Sequence, residues 1–255
     1  MSKSRANSDG PGRESVPTTV ESRRVLVAAI AGGILATALT WVAGEASAGY
    51  FKGKEVKNPL AEKVDMADTN RVEVKNAVLA WGVQGALLGL VLGISGALAG
   101  RAPRASIRAG TVGLVLGGTL AAGSSSLIFT AFFALVDGNS ADMIPSLLSH
   151  AGVASLLGLS AGAAFGLGLG VRGGLVRCAV GGIVGAVIGS CLYEVVGALL
   201  FPVDKTGDPV ASASLARLLC HALIDLTSAV GIALVAGSPA RVARTTSSDP
   251  LAPSI

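Results

Sequence analysis

Three ionisable residues interrupt the apolar stretch LARLLCHALIDL at positions 215–226. Arg217, His221 and Asp225 are spaced four residues apart, so on a helix their side chains lie along one face. Histidine exchanges protons near neutral pH, and a carboxylate inside a membrane can bind protons or cations. This face could therefore relay protons or hold a cation. The residues around it are as apolar as a membrane span, so this polar face is expected to lie within a membrane.

The chain has the composition of an integral membrane protein. Of its 255 residues, 51% are hydrophobic and 14% are charged, and the mean hydropathy is +0.65. These values are far from those of an ordinary soluble domain. The predicted fold class is all-α, a polytopic bundle of six transmembrane helices over residues 25–236. Six apolar segments are long enough to cross a hydrocarbon core of ~30 Å: 25–44, 77–99, 109–136, 143–170, 175–201 and 213–236.

Basic residues predict the orientation of these spans. They occur in the N-terminal tail (1–22), in the connections after the second and fourth spans, and in the C-terminal tail (237–255). The positive-inside rule then places both termini in the cytoplasm of a cell-membrane protein. The predicted external loop 45–76 is polar and carries six basic and six acidic residues, so its charge is balanced. Both tails lack apolar periodicity and are predicted to be disordered.

The first span has an alternative interpretation as a cleaved signal. SRRVLVAA (22–29) followed by ASA (46–48) matches the arrangement of a secretory or twin-arginine signal peptide with its cleavage site. The apolar stretch between them exceeds the 7–15 residues of a signal core, which favours a retained span. A cleaved chain would keep five spans in the same orientation.

Two-helix units repeat along the chain. LLGLVLG (87–93) matches LLGLSAG (156–162) at an offset of 69 residues. This match predicts tandem repeat units at 77–137 and 143–204. Because each unit contains two spans, its copies share one orientation and are related by a rotation about the membrane normal.

Two shorter matches suggest a third unit. LLSHA (147–151) is echoed by LLCHA (218–222), and GGI (32–34) is echoed by GGI (181–183). The sixth span would then pair with the first and close a ring of three pairs. The alternative is that apolar spans rich in leucine and glycine match by composition alone.

Glycines recur every four residues in three of the spans. This spacing places them on one helix face, where small residues allow two backbones to approach closely. The predicted helix-packing residues are Gly85, Gly89, Gly93, Gly158, Gly162, Gly166, Gly181, Gly185 and Gly189. Glycines concentrate in the predicted cytoplasmic halves of the spans and aromatic residues in the outer halves. We therefore expect a bundle that is tight at its cytoplasmic end and wider outside.

Five ionisable residues are expected at related depths within the bundle. Counted along their spans, Arg217, Glu194 and His221 lie roughly 7–13 Å from the outer boundary, and Asp225 lies about 20 Å from it. His150 aligns with His221 in the repeat. Exposing such groups to lipid costs several kcal/mol, so they should face the bundle interior and one another. We expect Glu194 to pair with Arg217, and Asp225 to have no basic partner other than His221.

Three interpretations of this polar cluster remain open at this point. In the first, the ion pairs only lock neighbouring helices together. In the second, the cluster lines an outward-facing, water-filled vestibule in which His221 and Asp225 relay protons or bind a cation. In the third, Cys191, Glu194, His150 and His221 supply metal ligands, although they lack the close spacing of a metal motif. The sequence predicts neither a metal nor another cofactor.

The predicted function is that of a small transporter or channel-like membrane protein. The alternative is a structural or scaffolding membrane protein whose glycine faces mediate packing or homo-oligomerisation. An enzyme is not expected, because no catalytic fingerprint occurs in a suitable context. The basic residues punctuate apolar runs and do not cluster, so the lipid bilayer is the expected partner and nucleic acid is not. No motif specifies a substrate.

Overall fold

Six helices make up the described part of the chain. A computed structural model describes residues 19–52, 66–135, 143–171, 173–202 and 207–237, and most of both predicted tails lies outside them. The helices are α1 (Thr19–Ser47), α2 (Met66–Ala99), α3 (Pro103–Leu135), α4 (Met143–Leu169), α5 (Gly174–Leu200) and α6 (Ser214–Gly237). Each is long and apolar enough to span a membrane. The prediction of an all-α bundle of six spans is confirmed.

The second helix is longer than its predicted membrane span. It begins at Met66, inside the segment 45–76 that the sequence analysis assigned to a polar loop. Asp68 lies in its first turn, where a carboxylate interacts favourably with the helix dipole. Hydropathy locates the apolar part of a helix, and here polar residues continue the same helix beyond it.

The helices form a closed ring with three of them inside. Helices α2, α4 and α6 contact one another, and α6 contacts the other two less extensively. Helix α3 packs against α2 and α4, α5 packs against α4 and α6, and α1 packs against α6 and α2. The outer helices carry apolar side chains that are more than half exposed, among them Val27, Ile34, Val184 and Ile188. Such a surface suits hydrocarbon and not water.

Glycine is required where the helix backbones touch. A Cβ atom added at any of the nine predicted packing glycines would clash with a backbone atom of a neighbouring helix. Gly85, Gly89 and Gly93 meet α3 in this way. The series from Gly158 to Gly166 meets α5, and the series from Gly181 to Gly189 meets α6. These contacts hold the ring together because no side chain separates the backbones.

The two ends of the bundle differ in how closely the inner helices approach. Near the C-terminal ends of α2 and α4, a Cβ atom at Gly96 or Gly100 would meet the carbonyl group of Phe165 or Leu169. We call this the closed end. At the opposite end, where α2, α4 and α6 begin, the buried ring of Trp81 lies among the inner helices. We call it the vestibule end, and the expected difference in width between the two ends stays a prediction.

Candidate functional site

Asp225 is a fully buried carboxylate held only by neutral donors. It lies on α6 with 0% of its surface exposed. The amide nitrogen of Gln84 on α2 donates to its Oδ1 at 3.0 Å, and the hydroxyl of Thr40 on α1 donates to its Oδ2 at 3.1 Å. No cationic side chain among the described residues forms an ion pair with it. The expected pairing with His221 is therefore wrong, and the carboxylate has no counter-charge in a low-dielectric interior.

His221 lies one helical turn from Asp225, towards the vestibule end. It is 7% exposed, and its Nδ1 has no hydrogen-bond partner. Helix α1 passes the ring at Gly44, where an added Cβ would lie 3.2 Å from Nε2. The absent side chain leaves room beside the imidazole. An unpaired, buried ring nitrogen is unusual, because buried polar groups normally have partners.

Arg217 pairs with Glu45 at the rim of the vestibule end. Its Nε and Nη2 donate to the two carboxylate oxygens at 2.7 and 2.8 Å, a bidentate arrangement. Its Nη1 donates to the carbonyl oxygens of Ala211 and Ser212. The predicted pair between Glu194 and Arg217 is therefore wrong. Helix α1 continues to Ser47 and carries Glu45 to the guanidinium, whereas the sequence analysis placed Glu45 in a loop.

Glu194 instead pairs with His150. A carboxylate oxygen of Glu194 on α5 contacts Nδ1 of His150 on α4, and each residue is 2% exposed. The hydroxyl of Ser146 lies 3.0 Å from the same carboxylate oxygen. The rings of Trp81 and Tyr193 flank the imidazole, with centroids 5.8 and 6.1 Å away. This contact between a carboxylate and an imidazole is deeply buried and surrounded by aromatic side chains.

A narrow cavity connects these groups with the surface. It has a volume of about 40 Å³ and is lined by Trp81, Gln84, His150, Tyr193, Arg217 and His221, among others. A water molecule needs roughly 10–15 Å³ by this measure, so about three would fit. The cavity adjoins a wider depression of about 480 Å³ at the vestibule end, lined by polar residues that include Glu73, Asn76 and Asp208.

The segment 207–213, between α5 and α6, lies across this opening. The indole nitrogen of Trp81 donates to the carbonyl oxygen of Pro209 at 3.0 Å. The hydroxyl of Ser146 donates to the carbonyl oxygen of Gly207, also at 3.0 Å. Together with the two bonds from Arg217, these contacts fix the segment over the vestibule by its backbone.

Towards the closed end the bundle interior is mainly apolar, and the buried hydroxyls of Ser160 and Ser228 there donate to carbonyl oxygens of their own helices. The cavity lining ends at Gln84 and His221, one contact short of Asp225. Beyond that level the inner helices contribute fully buried apolar side chains: Leu88, Leu92, Leu157, Phe165 and Ile232. From Asp225 to the end of α6 at Gly237 the helix rises ~18 Å. The cavity therefore approaches Asp225 from the vestibule end.

Four of the five predicted cluster residues lie in the vestibule half of the bundle and Asp225 lies near the middle of α6, but they form separate contacts. His150 and Glu194 make one pair, Arg217 belongs to another, and Asp225 belongs to a third group. No group of three His, Cys, Asp or Glu side chains within the described ranges could hold a metal ion.

Several residues of the site escaped the sequence analysis. Among them are Thr40, Glu45, Ser146 and Trp81. A signal for Glu45 was present, because extending the match between the two GGI motifs aligns Glu45 with Glu194. Thr40, Ser146 and Trp81 carry no such signal, since their roles depend on which helices become neighbours.

Comparison with known protein families, with curated proteins and with solved structures finds no match to this chain.

Proposed function

We propose that the protein is a small proton-linked membrane transporter in which Asp225 binds and releases the proton. One observation carries the proposal: a fully buried carboxylate without a counter-charge lies at the foot of a water-sized cavity. An ionisable residue at this depth is costly to maintain, and such residues commonly mark proton or ion pathways. Gln84 and Thr40 are neutral. The group of three side chains therefore carries one negative charge when Asp225 is ionised and no charge when Asp225 is protonated.

The apolar seal favours a transporter over an open channel. About 18 Å of helix lies between Asp225 and the closed end, and the large buried side chains of the inner helices there are apolar. A proton bound at Asp225 could leave on the other side only after the helices move. Alternating exposure of one site is the property that separates a transporter from a pore.

A scaffolding role is the second candidate, and the surface of α3 favours it. Gly123 has no neighbouring atom within 4 Å of an added Cβ, so this small residue is not used in packing within the bundle. Small residues on a lipid-facing surface allow a second helix to approach closely. In this role the protein would assemble as a homo-oligomer, and its ion pairs would only join helices.

The proposed orientation places both termini in the cytoplasm and the vestibule outside. To test it, the three native cysteines are replaced by serine and single cysteines are introduced at the exposed positions Ser212 and Arg104. An impermeant thiol reagent added to intact cells is expected to label the cysteine at 212 and not the one at 104. Labelling at 104 alone would reverse the orientation.

Transport is tested directly in proteoliposomes. With an imposed pH gradient and a potassium–valinomycin shunt for charge, vesicles that contain the protein should collapse the gradient about tenfold faster than protein-free vesicles. Equal rates, together with a stable oligomer on crosslinking, would favour the scaffolding role.

A further inference from the structure

The α4–α5 site, formed by Ser146, His150 and Glu194, has a counterpart elsewhere in the ring. The match between LLSHA and LLCHA aligns His150 with His221, and the match between the GGI motifs aligns Glu194 with Glu45. Helix α6 then corresponds to α4, and α1 corresponds to α5. In both pairs the histidine is on the inner helix and the glutamate on the outer one.

Backbone contacts support the same alignment. A Cβ atom at Gly158 on α4 would clash with Gly182 on α5. The aligned residues on the other pair are Ala229 and Gly33, and a Cβ atom at Gly33 would lie 2.8 Å from that of Ala229. Residues that meet in one helix pair thus meet in the other. This agreement is independent of the polar side chains.

Two differences separate the α4–α5 site from the α1–α6 site, which comprises Arg217, His221 and Glu45. Where the first has Ser146, which leaves Glu194 in contact with His150, the second has Arg217, which holds Glu45 in a bidentate pair. The imidazole of His221 is left without a carboxylate partner.

The second difference concerns the cover over the imidazole. Tyr193 packs edge-on against His150, and its aligned residue is Gly44, which has no side chain to cover His221. The α1–α6 site is therefore an open version of the α4–α5 site.

We propose that His221 is the proton-accepting group of the vestibule, and that Arg217 keeps it open by holding Glu45 away. The relay part of this inference rests on the proposed transport function. A hydronium ion in the cavity gives its proton to one ring nitrogen and becomes water. The imidazolium releases the proton from its other nitrogen to a water molecule, which passes a proton on to the carboxylate of Asp225, and this becomes a carboxylic acid. Histidine can act in this way because its two nitrogens exchange donor and acceptor roles.

The groups that face His221 come from four helices and the segment 207–213. Glu45 on α1 and Arg217 on α6 both act on it electrostatically. Its cavity is also lined by other titratable side chains: His150 from α4, Tyr193 from α5, Cys220 from α6 and Asp208 from the segment 207–213. The repeat aligns Glu45 with Glu194, the partner of His150. Glu45 is therefore the carboxylate expected to contact His221 when Arg217 is removed.

The test is to convert the open site into a copy of the closed one. In Arg217→Ser, serine stands where Ser146 stands in the α4–α5 site, and Glu45 should turn to His221. The double variant Arg217→Ser/Glu45→Ala removes that carboxylate and should reopen the site. The chain contains only two histidines, so ¹⁵N-histidine labelling gives two rings, which His221→Asn assigns.

The first readout is the ring ¹⁵N spectrum in lipid vesicles. In the natural protein we expect the His221 ring, whose Nδ1 is unpaired, to exchange magnetisation with water faster than the His150 ring, whose Nδ1 contacts Glu194. In Arg217→Ser the His221 signals should move to carboxylate-bound positions like those of His150 and lose water exchange, and the double variant should regain it. A His221 ring that is unchanged in Arg217→Ser would overturn the proposal, as would one that stays closed in the double variant. Thermal unfolding identifies any variant that fails to fold. If Arg217→Ser fails to fold, the double variant is compared with the natural protein, and its His221 ring should exchange with water.

The second readout is proton flux. Arg217→Ser should lower it about tenfold or more, and the double variant should restore it. If the ring spectra switch as expected while flux stays unchanged, His221 is not the relay and that part of the proposal is overturned. If the natural protein has no flux at all, the proposed function fails, and the ring spectra alone still decide whether Arg217 holds the site open.

Discussion

Asp225→Asn is expected to reduce proton flux to the level of protein-free vesicles while the fold stays intact. Asparagine has the shape of aspartate but cannot take up a proton. It can keep both polar contacts if the amide of Gln84 turns to present its carbonyl oxygen, since the Thr40 hydroxyl can donate or accept. We therefore expect the free energy of unfolding to change by about 1 kcal/mol or less. Flux is measured in proteoliposomes and unfolding in detergent micelles.

The matched control is Glu73→Gln. It makes the same change from carboxylate to amide at a residue that lines the wide depression at the vestibule end and not the narrow cavity that ends near Asp225. Flux should be retained, because Glu73 is not on the route between the cavity and Asp225. Full flux in Asp225→Asn would contradict the proposed role of Asp225. Loss of the fold would also contradict it, because the carboxylate would then be a structural requirement and not a carrier.

His150→Ala is expected to lower the free energy of unfolding by about 3–5 kcal/mol. Removing the imidazole leaves the carboxylate of Glu194, 2% exposed, without its imidazole partner. The Ser146 hydroxyl is neutral and cannot replace it. The double variant His150→Ala/Glu194→Ala should lose clearly less than the sum of the two single variants, because no unpaired charge remains. Unfolding is followed by circular dichroism in mixed micelles.

The pair of Arg217 and Glu45 at the rim should contribute less to stability than the buried pair of His150 and Glu194. The side chains of Arg217 and Glu45 are 14% and 30% exposed, so water partly compensates either charge when the other is removed. Their coupling energy should be about 0–1 kcal/mol. Coupling between Glu194 and Arg217 should be close to zero, since they do not pair. Additive effects of the His150 and Glu194 replacements would contradict the assignment of the buried pair.

The membrane fold could be predicted from the sequence because apolar length is a local property. Six stretches of the required length gave six helices, and the glycine spacing identified faces that do lie against neighbouring backbones. The extension of α2 to Met66 was not predictable in the same way, because polar residues that continue a helix resemble those of a loop.

The pairing of charges could not be predicted from depth alone. Glu194 and Arg217 lie at similar depths on sequential helices, which made them the natural pair. The ring closes by packing α1 against α6, and this contact places Glu45 beside Arg217. Asp225 shows the same limit, since Thr40 and Gln84 reach it from helices that are distant in sequence.

The proposed role of Asp225 is tested most directly by measuring from which side of the membrane its carboxyl group exchanges the proton. The protein is reconstituted in vesicles with one orientation, established by labelling the cysteine at position 212. Infrared difference spectra of the natural protein minus Asp225→Asn isolate the carbonyl stretch of the protonated Asp225 carboxyl group. With the pH on the closed side held constant, this band should appear and disappear as the pH on the vestibule side is changed. A band that follows only the pH on the closed side, or that does not respond to either, would contradict the account.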